Sequence, residues 1–125
     1  MTPRFLLDTM VVSEPLKFRP NARVIARLRR HDGEIVIASV VWHELRFGCE
    51  RLPASAKRTA LAEYLEGSVA EKMPIVAYDA RAAEWHALER ARLEAAGRTP
   101  PYLDGQIAAI AAGDDPRVVA TDPRA

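Results

Sequence analysis

The chain has 125 residues, 49% of them hydrophobic, and 18 Lys and Arg stand against 17 Asp and Glu. That length supports one core rather than two, and the composition is that of a globular protein, not of a disordered or fibrous one. A net charge of +1 gives no general attraction to an acidic surface, no window nears the ~18 apolar residues of a membrane span, and a single cysteine leaves no intrachain disulfide.

Phe5 to Leu7 reads as a first buried strand that exits through a turn at Asp8-Thr9. Asp8 interrupts the apolar run and no small-residue cleavage site follows, so the N-terminus does not read as a signal peptide and the cytoplasm is the expected location. After the breakers Pro15 and Pro20, Asn21 can cap a helix to about His31, with Val24, Ile25 and Leu28 on one face and Gly33 as the stop. Glu34 to Ala38 is a second β-branched run, and Ser39 can cap a helix that ends near Gly48. Pro53 introduces a long helical stretch from about Ala54 to Glu71, with Leu61, Tyr64, Leu65 and Val69 at helical spacing.

A third strand is expected at Ile75 to Ala77, with Pro74 tolerated only at its start or on an edge. Asp79 can cap a helix to Ala96 that Gly97 stops, and Trp85, at helical spacing from Leu88, reads first as a packing residue and second as one that stacks on bases. The turn Arg98 to Tyr102 leads into a helix marked by Ile107 and Ile110, with Asp104 at its N-terminal end. Val118 to Ala120 reads as a fourth strand running into Thr121-Asp122. Strands alternating with helices predict an α/β protein, a three-layer α/β/α sandwich with a mainly parallel sheet of four to five strands, because parallel strands need crossover connections.

In such open sheets, sites form outside the carboxyl ends of the strands. Asp8 and Asp122 follow strand ends, Glu44 lies early in the helix after the second strand, and Asp104 opens another helix, so three or four acids can converge. Two carboxylates ~5 Å apart at an effective dielectric of ~20 repel by roughly 3 kcal/mol. The cluster must therefore protonate or recruit a cation, and oxygen-only ligands favour Mg²⁺ or Mn²⁺ over zinc. Each acid also has a structural reading: Asp8 and Asp122 as turn residues, Glu44 as a solvated helix residue, Asp104 as the acid a helix dipole favours.

Together LLDTMVVSE, SVVWHELRFG, LDGQIAAIA and VVAT, in this order, resemble the successive signatures of the PIN domain, specifically its VapC-like (FitB-like) toxins. The resemblance covers nearly the whole chain, as a single domain over residues 1–125. It implies a Mg²⁺- or Mn²⁺-dependent endoribonuclease, dimeric and held inactive by a cognate antitoxin in a type II toxin–antitoxin pair. It also implies metal-assisted hydrolysis of RNA phosphodiester bonds, the cation positioning and acidifying a water. Asp8, Glu44 and Asp104 match the family's principal acids, Thr9 and Thr121 match its site-lining hydroxyls, and Asp122 is an approximate match to a fourth acid. Met10 stands where Asn or Ser is usual, and TDPRA ends the chain where relatives continue with a further segment. The alternative is a catalytically weakened PIN-like protein that acts mainly by binding its antitoxin.

Lys17, Arg19, Arg23, Arg27, Arg29 and Arg30 form a basic stretch that reads first as a solvated face with cations near a helix C-terminus, and second as a phosphate contact. His43 and His86 have no metal-ligand partner at a recognisable spacing. A receiver-type signalling domain is the competing α/β class, with Asp79 as its only candidate acceptor and no Lys after the last strand.

Overall fold

In a computed structural model the described residues are 5–7, 9–113 and 119–120. Four strands, β1 (Phe5–Leu7), β2 (Ile35–Ala38), β3 (Ile75–Val76) and β4 (Val119–Ala120), form one sheet in the order β3-β2-β1-β4. All three pairings are parallel: Leu6 lies opposite Val36 on one side and Ala120 on the other, and Ile37 lies opposite Ile75. A parallel sheet covered on both faces needs unbroken apolar strands, and all four residues of β2 are buried. At the edge, Ile75 of β3 is exposed, and the Pro74 carbonyl accepts the Ile37 amide at 3.0 Å. The proline thus precedes the strand, where a missing donor costs nothing.

The connections give the α/β sandwich that the alternation predicts. α1 (Thr9–Val12) begins where a turn is expected, and a 3₁₀ turn (Glu14–Leu16) follows it. α2 (Ala22–Arg30) is capped by Asn21, whose side chain accepts the Arg23 and Val24 amides. Arg27, Arg29 and Arg30 fill its last turn, where cations complement the dipole.

α3 (Ser39–Glu50) runs past Gly48, and its cap is Ala38, not Ser39. The Ser39 hydroxyl accepts the Tyr78 amide at 3.0 Å instead, which ties the start of α3 to the end of β3 and removes it from capping. The expected helix 54–71 divides into α4 (Ala56–Glu63) and a π-helical turn (Tyr64–Val69). There the Ala70 amide reaches back five residues to the Leu65 carbonyl, and the Tyr64 hydroxyl donates to the Val12 carbonyl at 2.6 Å. The wider turn buries Leu65 and Val69 fully. Burial also pushes the Tyr64 hydroxyl above its ordinary pKa.

β3 stops at Val76, one residue short of the expectation. α5 (Ala80–Ala95) starts on Asp79, whose side chain accepts the Ala82 amide at 2.9 Å. Gly97 takes a left-handed φ of 77° and the Arg98 amide closes on the Leu93 carbonyl at 2.8 Å, a glycine-terminated helix end. α6 (Tyr102–Gly113) packs on α5 and leads towards β4. No described helix is long and apolar enough to cross a membrane.

Candidate active site

Strand order runs outward from β1 through β2 to β3 and then returns to β4 on the other side of β1. The reversal between β1 and β4 makes their carboxyl ends the crevice where ligands of open α/β sheets bind. Asp8 follows β1 in sequence, and Thr121 and Asp122 follow β4; all three lie outside the described residues. Three helices of this region carry the remaining candidates: Thr9 opens α1, Glu44 is on α3, and Asp104 is in the first turn of α6. α3 touches both α1 and α6, so one helix links the other two.

The side chains differ in setting. The Thr9 hydroxyl oxygen is buried and has no hydrogen-bond partner among the described residues. Glu44 is 45% exposed, and its carboxylate lies 3.8 Å from Nδ1 of His43. Asp104 is exposed. Among the described residues no three His, Cys, Asp or Glu side chains converge on a common point. The described fold therefore brings together the elements that carry Thr9, Glu44 and Asp104 without assembling a complete ligand cluster from them. The donors suit a hard cation: they are oxygens only, and the buried, unpartnered Thr9 hydroxyl is the polar atom a bound ion's water would satisfy.

Two further residues near this region have roles that the sequence did not show. Glu14 is buried; its Oε1 accepts the Asn21 amide at 2.9 Å and its Oε2 lies 2.7 Å from Nζ of Lys17. The carboxylate so holds the amide of the residue that caps α2, fixing the path from α1. The only sequence signal is an acid before Pro15 in an otherwise apolar segment. His86, also buried, shares a 2.8 Å hydrogen bond through Nδ1 with the Tyr78 hydroxyl, and its ring lies 5.0 Å from that of Tyr102. Desolvation, followed by the neighbouring Tyr102, raises the Tyr78 hydroxyl above its ordinary pKa. A Cβ on Gly105 would lie 2.3 Å from His86 Nε2, so only glycine lets α5 and α6 approach this closely.

Beside this contact α5, the turn before α6, and α6 itself enclose a groove of about 390 Å³ with Asp104 in its wall. Trp85 lines it and is 37% exposed, and Leu88 is 76% exposed, so of the packing their spacing suggests Leu88 has none and Trp85 only part. His43 is a surface histidine and His86 a core one. Asp79 is occupied as the α5 cap, which removes the acceptor a receiver domain would need.

The PIN domain family model matches residues 5–124. Toxin FitB of Neisseria gonorrhoeae is 36% identical over 109 residues, 85% of this chain and 78% of that protein. VapC ribonuclease Y4jK of Sinorhizobium fredii is 32% identical over the same shares of the two chains. The crystal structure of FitAcB from Neisseria gonorrhoeae superposes with a TM-score of 0.78 at 30% identity, covering 96% of this chain and 98% of that one.

Proposed function

Because the chain belongs to the PIN domain family, in its VapC-like branch, we propose that it is the endoribonuclease toxin of a type II toxin–antitoxin pair, dependent on Mg²⁺ or Mn²⁺. The observation that carries the reading is the packing of α3 against both α1 and α6 beside the point where the strand order reverses. That packing draws together the helices of Thr9, Glu44 and Asp104 next to the strands that precede Asp8 and Asp122.

In this reading Asp8, Glu44 and Asp104 hold the cation, and Asp122 is the fourth acid. A bound divalent ion supplies an acidified water and neutralises charge on the scissile phosphate. The chain's own residues do the rest. The carboxylates would hold the ion and fix its position. The Thr9 and Thr121 hydroxyls line the site, and Thr9, lacking a partner among the described residues, has its proton free for a water or a phosphate oxygen. The phosphodiester breaks by addition of water across the P–O bond, leaving a hydroxyl on one fragment and a phosphate on the other.

The remaining parts of the reading rest on the same family membership. The protein acts in the cytoplasm as one PIN-like domain, forms a homodimer, and is silenced by a cognate antitoxin that covers the acids. A basic antitoxin side chain standing in for the cation would suit that pocket. Met10 favours a second, catalytically weakened reading, since a thioether cannot orient a carboxylate or water as Asn or Ser does.

The test is cleavage of single-stranded and structured RNA with Mn²⁺ or Mg²⁺. Cleavage that stops with EDTA, and is lost in folded Asp8→Ala, Glu44→Ala and Asp104→Ala, supports the nuclease. Retained cleavage in any folded variant removes that residue from the site. Metal binding and antitoxin capture without cleavage would favour the weakened protein.

A further inference from the structure

The groove between α5 and α6 has a lining that the acids at the strand ends do not explain. Trp85 and Tyr102 both line it, and both rings are partly exposed. Arg90, half exposed, lies 5.2 Å from the centre of the Tyr102 ring and donates to the Glu94 carboxylate at 3.3 Å, a surface contact weak enough for an entering ring to move the guanidinium off the aromatic face. His86 forms a rigid floor, held by Tyr78 on one nitrogen and closed against Gly105 on the other. Pro100 and Pro101 stiffen the turn that completes the wall, so the groove exists before any ligand arrives.

Charge decides what can enter. Glu89 and Glu94 both line the groove, paired with Arg92 and Arg90 respectively. With Arg90 engaged by Glu94 and no Lys or second Arg among the described residues of the lining, the wall offers a phosphate no cation of its own. A flat, neutral group with amino edges would meet aromatic rings to stack on and carboxylates able to accept from those edges. The volume of about 390 Å³ lies within the range of small-ligand sites. Asp104, a candidate metal ligand, stands in the same wall.

We propose that this groove is a base-binding subsite: one unpaired RNA base stacks against Trp85 and Tyr102 while the adjoining phosphodiester lies at Asp104. This rests on the nuclease reading and adds to it a source of sequence preference, since the base with the better stacking and amino-edge fit is held longest. Single-stranded RNA is the substrate class that follows, because a paired base cannot enter a groove closed by a helix on each side.

The protein has two tryptophans, Trp42 and Trp85, so Trp42→Phe leaves Trp85 as the sole reporter. In EDTA, short homopolymeric oligoribonucleotides should quench Trp85 fluorescence saturably, and an abasic ribose-phosphate oligomer should not. Tyr102→Ala should weaken the binding about tenfold, as expected for the loss of one stacked base, and Tyr102→Phe should restore it. With Mn²⁺, both Tyr102→Ala and Trp85→Ala should raise KM and flatten the preference among homopolymers.

Equal quenching by the abasic oligomer would overturn the proposal. So would unaltered RNA binding and preference in Trp85→Ala accompanied by a shift from dimer to monomer in light scattering, which would assign the groove to a second copy of the chain. Cleavage by a protein whose Trp85 no homopolymer quenches refutes the subsite and leaves the nuclease standing. Base-dependent quenching without metal-dependent cleavage does the reverse.

Discussion

α3 and α5 contain the same kinds of residue in different arrangements. In twelve residues α3 buries Val41, Leu45 and Cys49, an i, i+4, i+8 stripe pressed into the core. In sixteen residues α5 buries only Ala82 and His86. It is held instead by its packing on α6 at Gly105, the Asp79 cap and the glycine-terminated end at Gly97, with small additions from charge pairs one turn apart, Arg90–Glu94 and Arg92–Glu89. The stripe on α3 stabilises the sheet, whereas α5 leaves apolar and aromatic surface uncovered along a groove. A helix held at its ends and along α6 is free to present its remaining side chains to a ligand.

The contrast breaks if mutation costs run the other way. Leu45→Ala should lower unfolding free energy by about 2–5 kcal/mol, while Leu88→Ala, on the exposed side of α5, should stay within about 0.5 kcal/mol; urea unfolding of the two variants compares them directly. Gly105→Ala comes next. Its new methyl must displace His86, a buried ring with a hydrogen bond to Tyr78, so overpacking should cost about 1–3 kcal/mol. It should also reduce cleavage by moving Asp104 with α6, and His86→Ala in the same chain should recover part of the lost stability.

Asp79→Ala should cost about 1 kcal/mol through the lost cap, read as a fall in melting temperature with the α3 core untouched. The smallest effect is electrostatic. Hydrogen bonding to Arg92 holds the Glu89 carboxyl below its ordinary pKa. A lowered folded-state pKa gives stability that is present at neutral pH and lost as pH falls through the carboxylate range. Because the pair faces solvent, Arg92→Ala should alter the acid limb of a melting-temperature profile only slightly, and high salt should erase the difference.

What was legible in the sequence was local. β2 announces itself as a β-branched run, Asn21 and Asp79 as caps, and Gly97 as a stop, because each acts on neighbours within a turn. The π-helical turn at Tyr64–Val69 was not legible, since the Tyr64 hydroxyl bonds Val12 across 52 residues. Ser39 likewise looked like a cap because its distant partner, Tyr78, has no signature in the local sequence.

The site divides in the same way. Strand ends and helix starts pointed to Asp8, Glu44, Asp104 and Asp122 as converging acids. Glu14 escaped because nothing in its local sequence marks it as buried, and the ties of His86, which has no metal-ligand spacing, depend on the approach of α6 through Tyr102 and Gly105. The groove wall combines α5 with a turn and a second helix, which no periodicity within either helix reveals. Trp85 and Leu88 show the limit of spacing alone: helical periodicity gives a shared face but not whether anything covers it.

The central claim, that Asp8, Glu44 and Asp104 hold one divalent cation, is tested most directly by melting temperature across a Mn²⁺ titration of the wild type and Asp8→Asn. A ligand bound only by the folded state raises melting temperature as its concentration rises. The account predicts that rise in the wild type and its loss in Asp8→Asn. It also predicts a higher metal-free melting temperature for the variant, because one repelling charge is gone. A wild-type melting temperature unmoved by millimolar Mn²⁺, with no metal-free gain in Asp8→Asn, would contradict it.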